Sequence, residues 1–304
     1  MREFFMTSTG GCNLRCGLWM PRQSPRAMVQ LVHGVAEHVE RYDKFGRFLA
    51  EHGIAMVGDD HMGHGKSVGS GDVPGFFPSG WDGAVEDEYR LMTEVRRELP
   101  HTPYVLLGHS MGSFLTRTFL YTHPDADLSG VILSGTGWIP AVVLVAGLHL
   151  CERERRRVGE NQISEQLQRI VFENYNRPFR PNRTDRDWTC SDPAAVETSM
   201  ADPYCSYWPT VGLAADMLGG IRRNQKAGNL AAMDHNLPVL FFSGEQDPVG
   251  SMGRGVRRTV RAFEKAGMKQ VTCHLYAGRR HEMLQEVNRE EVYADVLRWL
   301  NDIL

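Results

Sequence analysis

A mostly parallel β-sheet covered by helices on both faces is the fold class this sequence predicts. Two observations carry the prediction. Short apolar runs recur along the chain, as at Met28 to Val32, Ile54 to Val57 and Val239 to Phe242. Between them lie segments with apolar residues at helical spacing. Strands that read as continuous apolar runs, alternating with amphipathic helices, are those of a parallel sheet buried on both sides.

The elements follow in order. Residues 3 to 8 and 13 to 20 read as a hairpin, with Gly10-Gly11 as its turn. In the second arm Leu14, Cys16, Leu18 and Met20 alternate with Asn13, Arg15, Gly17 and Trp19, the pattern of a half-buried strand. Met28 to Val32 is the next strand, ending at His33-Gly34. Tyr42, Phe45, Phe48 and Leu49 mark a helix that Gly53 stops, and Ile54 to Val57 is a strand. Val85, Tyr89, Met92, Val95 and Leu99 mark a second helix, stopped by Pro100. Tyr104 to Leu107 is a strand, Phe114 to Tyr121 a helix and Val131 to Leu133 a strand. The same grammar resumes with strands at Val239 to Phe242 and Val271 to Tyr276. A helix at Val256, Val260 and Phe263 ends at Gly267, and a last helix spans Leu284 to Leu300 through Val287, Val292, Val296 and Trp299.

Residues 137 to 236 break the alternation. They are helical in pattern and rich in Trp, Pro and Arg, without a clear strand. They read as a helical lid inserted into an α/β core made of residues 1 to 136 and 237 to 304. The apolar run Trp138 to Leu150 leads into a charged run from Glu152 to Arg157. Such a segment either packs on the core with a solvated charged end or touches a membrane or lipid aggregate.

The 304 residues carry a formal charge of −3, which excludes the basic excess of a dedicated nucleic-acid binder. The N-terminal residues lack the apolar core of a secretion signal, and no run spans a bilayer. Cysteines 12, 16, 151, 190, 205 and 273 show no repeated CxxC spacing and read as reduced thiols of a cytoplasmic protein.

Two segments fit GxSxG: Gly108-His109-Ser110-Met111-Gly112 and Gly65-Lys66-Ser67-Val68-Gly69. A nucleophile elbow needs a strand before the serine and a helix after it. Ser110 has both, whereas Ser67 lies in a Gly-rich loop, so Ser110 is the candidate nucleophile. A serine hydroxyl needs a base and the base an orienting acid, in the chain order Ser, Asp or Glu, His. Asp247 follows the Val239 strand and His281 follows the Val271 strand, so both fall at the sheet edge where ligands bind. Glu245 and Asp234 compete for the acid and His235 and His274 for the base, but His274 lies inside a strand pattern and Asp234-His235 precede the strand that Asp247 follows. The oxyanion donors expected are the backbone N–H groups of Met111, after the nucleophile, and Val35, after the Met28 strand.

His33, His38, His61 and His64 suggest a metal, but neither His33–His38 nor His281–Gln285 has a zinc-enzyme spacing. No P-loop or dinucleotide fingerprint occurs, so no cofactor is expected.

Together these residues resemble a known family. His33-Gly34-Val35-Ala36-Glu37-His38-Val39-Glu40-Arg41-Tyr42, Asp60-His61-Met62-Gly63-His64-Gly65-Lys66-Ser67 and the Ser110 elbow are similar to the motifs of monoacylglycerol lipases and bacterial lysophospholipase-like α/β-hydrolases. The Asp247 and His281 blocks are similar as well. The resemblance implies an α/β-hydrolase fold, a Ser110–His281–Asp247 triad, an oxyanion hole from Val35 and Met111, and structural or rim roles for Glu37, Arg41 and His64. It implies hydrolysis of esters with one acyl chain: monoacylglycerols, lysophospholipids or simple carboxylic esters. An amidase or aminopeptidase on the same triad is the alternative, with Glu152, Glu154, Glu160, Glu173 or Asp202 holding a substrate ammonium. A slow or non-catalytic ligand binder is the other.

Overall fold

The computed structural model describes all 304 residues. The first half of the chain forms β1 (Arg2–Thr7), β2 (Asn13–Trp19), β3 (Ala27–Val32), α1 (Asp43–Glu51), β4 (Ile54–Asp59), α2 (Gly80–Glu98), β5 (Tyr104–His109), α3 (Met111–Thr122) and β6 (Gly130–Ser134). Six helices follow: α4 (Ala141–Val158), α5 (Glu165–Gln168), α6 (Asn174–Asn176), α7 (Pro193–Ala201), α8 (Val211–Asn224) and α9 (Ala227–Ala231). One wide π-helical turn, Arg169–Glu173, joins α5 to α6. The chain ends with β7 (Val239–Gly244), α10 (Arg254–Ala266), β8 (Val271–Tyr276) and α11 (Arg289–Ile303).

The eight strands form one sheet in the order β1-β2-β4-β3-β5-β6-β7-β8. β1 and β2 pair antiparallel, as do β2 and β4, and every other pair is parallel. Strand residues alternate between two apolar layers. Met28, Leu106, Leu133 and Phe241 pack on the side of α2, α3 and α10. Val29, Leu107, Ile132 and Phe242 pack on the side of α1 and α11. Both faces are therefore dry, which is why these strands read as continuous apolar runs.

The sequence reading of β2 fails on one point. The strand is buried on both faces, because β1 covers its edge and Arg15 and Trp19 turn inward. The Arg15 guanidinium is matched by Glu3 at 2.7 Å and Glu40 at 2.6 Å, and Trp19 Nε1 donates to Asp43 at 2.8 Å. A charge can be buried when it is paired and hydrogen-bonded. The last helix also starts later than its apolar spacing suggests. Val287 is exposed and Glu286 is buried, accepting from the N–H groups of Ser191 and Arg280. That turn clamps two loops together and is not helix. Two helices begin earlier than expected: α2 at Gly80 and α3 at Met111, directly after Ser110.

Candidate active site

β5 and α3 meet at Ser110, which adopts φ 53° and ψ −119°. A non-glycine residue held there costs about 1–3 kcal/mol and persists only where its surroundings enforce it. They do so here through close packing. A Cβ on Gly112 would lie 1.9 Å from the Val32 carbonyl oxygen, so only glycine lets α3 approach β3 this closely. The Ser110 N–H donates to the Ser134 carbonyl at 2.9 Å. The turn lifts the side chain off the sheet into a cavity that Ser110, Val35, Glu37, Trp188 and His281 all line.

His281 and Asp247 come from the loops after β8 and β7. The His281 Nδ1 lies 3.0 Å from Asp247 Oδ2. Asp247 is fully buried and also accepts from Ser243 Oγ at 3.0 Å and the Val249 N–H at 2.9 Å. Burial opposes its charge, but His281, Ser243 and Val249 together hold its pKa below the ordinary carboxylate value. Burial also opposes a charged His281, yet Asp247 outweighs it and the imidazole pKa lies above its ordinary value. With Nδ1 committed to Asp247, Nε2 is the nitrogen left for chemistry. The competing residues are elsewhere. Glu245 faces Arg257, His235 packs against Gly267, and His274 sits within β8.

The loop after β3 is fixed from several sides. The Glu37 carboxylate accepts from the Gly34 N–H, from Arg41 at 2.7 Å and from the Tyr42 hydroxyl at 2.9 Å. Arg41 also binds Glu282 at 2.6 Å. Burial alone would raise the Glu282 pKa, but Arg41 brings it down to about 2. His33 Nε2 accepts from the His61 N–H at 3.1 Å, so its proton is on Nδ1, which donates to the Gly34 carbonyl at 2.7 Å. Pinning that carbonyl turns the Val35 N–H, on the same trans peptide, the opposite way. Neither the Val35 nor the Met111 N–H is used in a hydrogen bond within the protein. His61 lies between Asp59 and Glu88, at 3.3 and 3.2 Å, and His64 is buried against Phe77 and Tyr207. These histidines form a support beneath the loop.

Sequence reasoning passed over several contributors. Ser243 and Glu282 were visible as neighbours of Asp247 and His281, but their partners are distant in sequence. Thr189 and Trp188 gave no signal. The Thr189 carbonyl accepts from the N–H groups of His281 and Glu282, at 3.0 and 2.7 Å, and the Trp188 ring lies 5.2 Å from that of His281. Ser67 is buried. Its hydroxyl donates to the Asp60 carbonyl and accepts from the Arg15 N–H.

Comparison with known proteins agrees with this architecture. The Hydrolase_4 family, described as serine aminopeptidase S33, matches residues 23–288. The chain is 33% identical to the human monoglyceride lipase over 97% of its own length and 89% of that protein. It is 27% identical to the monoacylglycerol lipase of Mycolicibacterium smegmatis over 98% of this chain and 96% of that one. Its structure is similar to that of a thermostable carboxyl esterase from Bacillus coagulans, with a TM-score of 0.92, 28% identity, and coverage of 99% and 98% of the two chains. The chain is an α/β-hydrolase of the Hydrolase_4 family and shares that family with the monoglyceride lipases.

Proposed function

We propose that this protein hydrolyses carboxylic esters bearing a single acyl chain, through an acyl-enzyme on Ser110. His281 Nε2 takes the Ser110 proton as the hydroxyl oxygen attacks the ester carbonyl. The Val35 and Met111 N–H groups receive the oxyanion, each contributing about 2.7–4 kcal/mol to the transition state. His281 returns the proton to the leaving alcohol, then takes one from water for deacylation. Asp247 holds the ring and stabilises its cation.

The observation that favours an ester over a peptide N-terminus is the state of the acids. Glu37 and Glu282 are the carboxylates lining the cavity, and Arg41 binds both. A substrate ammonium would find no free carboxylate there. Two acids of the insertion are occupied as well, Glu154 by Arg157 at 2.6 Å and Asp202 by His38 at 2.8 Å, and Glu152, Glu160 and Glu173 do not line this cavity. Monoacylglycerols, lysophospholipids and simple esters carry no such requirement.

Residues 137 to 236 act as the lid in this reading. Phe172, Trp188 and Trp208 roof the cavity from that segment. On α4, Val142, Val143 and Val145 are exposed, and the helix continues into Arg153, Arg155, Arg156 and Arg157. This face is where the lid would meet a lipid aggregate, since apolar side chains beside arginines suit an anionic interface. No helix is long and apolar enough to cross a membrane.

The test is kcat/KM across monoacylglycerols and p-nitrophenyl esters of increasing acyl length, with aminoacyl-amides alongside and Ser110→Ala as control. Ser110-dependent turnover that peaks at medium or long chains is expected. Preference for aminoacyl-amides would overturn the ester reading, and a peak at acetate would remove its lipid part.

A further inference from the structure

Two arginines of this protein are fully buried, Arg15 and Arg117. Arg15 is met by the carboxylates of Glu3, Glu40 and Asp60. Arg117, on α3, pairs with no carboxylate, and the one titratable side chain that acts on its charge is Tyr121. Burial pulls its pKa down to about 9, so the guanidinium is still a cation at neutral pH. A buried charge without a counter-charge is strongly unfavourable.

The donors of Arg117 can be accounted for one by one. Nη1 donates to the Gly137 carbonyl at 2.9 Å and to Thr136 Oγ1 at 3.4 Å. The rings of Phe114 and Phe263 lie with centroids 5.6 and 5.9 Å from the guanidinium carbon, which gives the charge aromatic neighbours but no hydrogen-bond acceptor. Nε and Nη2 have no acceptor in the protein, although both are sealed from solvent. These two atoms form the parallel two-donor edge with which arginine grips an anion. Arg157 shows the same edge in use, its Nε and Nη2 both donating to Glu154 Oε2, at 3.1 and 2.6 Å. The Tyr121 hydroxyl is buried without a partner as well. Residues four apart on a helix share a face, so Tyr121 belongs to the side of α3 that carries Arg117.

We propose that Arg117 and Tyr121 form a buried binding site for a small monovalent anion of the chloride class. One unpaired cation calls for one negative charge. The aromatic walls suit a small, weakly hydrated ion, whereas a phosphate dianion needs more donors than these residues offer. The site lies under the point where the chain leaves the core for residues 137 to 236. Arg117 holds the Gly137 carbonyl, and Gly135, two residues earlier, packs against His281. Anion binding therefore braces a joint next to the candidate base.

The experiment measures the unfolding free energy of the full chain in sodium chloride and in sodium gluconate at matched ionic strength. Gluconate is too large for a sealed site. Above the dissociation constant, the folding constant of the wild-type protein should rise about tenfold for each tenfold rise in chloride, and stay flat in gluconate. Arg117→Met should abolish the difference between the salts. Tyr121→Phe removes one donor to a charged acceptor and should raise the chloride concentration needed by about tenfold. It also serves as the test if Arg117→Met does not fold. Crystals grown in bromide should show an anomalous peak beside Arg117 Nε and Nη2. Equal stability in the two salts, or a chloride effect that survives unchanged in Arg117→Met or in Tyr121→Phe, would overturn the site. So would a bromide map without a peak beside Arg117, which would leave water on these donors.

Discussion

Ser110 and Ser67 sit in the same five-residue pattern, yet the two regions use the serine in opposite ways. Ser67 is sealed between β2 and the Asp60 loop, its hydroxyl donating to one backbone group and accepting from another. Ser110 is held on a strained turn with its side chain in a cavity and its N–H, not its hydroxyl, tied to the sheet. A hydroxyl with both roles filled is a structural staple. One that shares a cavity with an imidazole is placed for the nucleophile role proposed above. The surrounding elements, and not the pattern, decide which.

Mutations can break this comparison. Ser110→Ala should lower kcat by about 10⁶-fold, as loss of a triad serine does elsewhere, while the melting temperature stays close to wild type. Ser67→Ala should invert the result. Activity per folded molecule should persist, and denaturant titration should show a loss of about 1–3 kcal/mol from an unsatisfied Arg15 N–H and Asp60 carbonyl. Equal losses of activity in both variants would erase the distinction.

Asp247→Asn comes next in size, with a drop in kcat of about 10⁴-fold from the wrong imidazole tautomer. The same variant sharpens the electrostatic argument. Hydrolysis needs neutral His281, so activity is lost as pH falls through its pKa. Asp247 raises that pKa, so the acid limb of kcat/KM should lie above about 6.5, and Asp247→Asn should move it downward. A limb that does not move would mean Asp247 is not the partner that sets it.

Gly112→Ala has the next effect. Its Cβ meets the Val32 carbonyl, so α3 must shift, at a cost of about 1–3 kcal/mol read by denaturant midpoint. The shift also moves the Met111 N–H, so activity on the surviving fold should fall. The comparable change at the Ser67 loop, Gly69→Ala, meets only the Asp72 carboxylate at 3.0 Å and should be mild.

The parallel core was legible because burial on both faces writes itself as short apolar runs between helical periods. The placement of Ser110, Asp247 and His281 at one edge of the sheet was readable from order and strand ends, which is local information. Arg15 and Glu286 were not, since each is buried by partners far away in sequence. The same holds for the cavity roof. Phe172, Trp188 and Trp208 come from a segment whose pattern showed only helix, and their convergence depends on how that segment folds back over the sheet.

The most direct test of the central claim is covalent labelling with a fluorophosphonate, read by intact mass and peptide mapping. A single adduct on the peptide containing Ser110, absent in Ser110→Ala and blocked by a monoacylglycerol, is the expected result. No adduct, or one on the Ser67 peptide, would contradict the account.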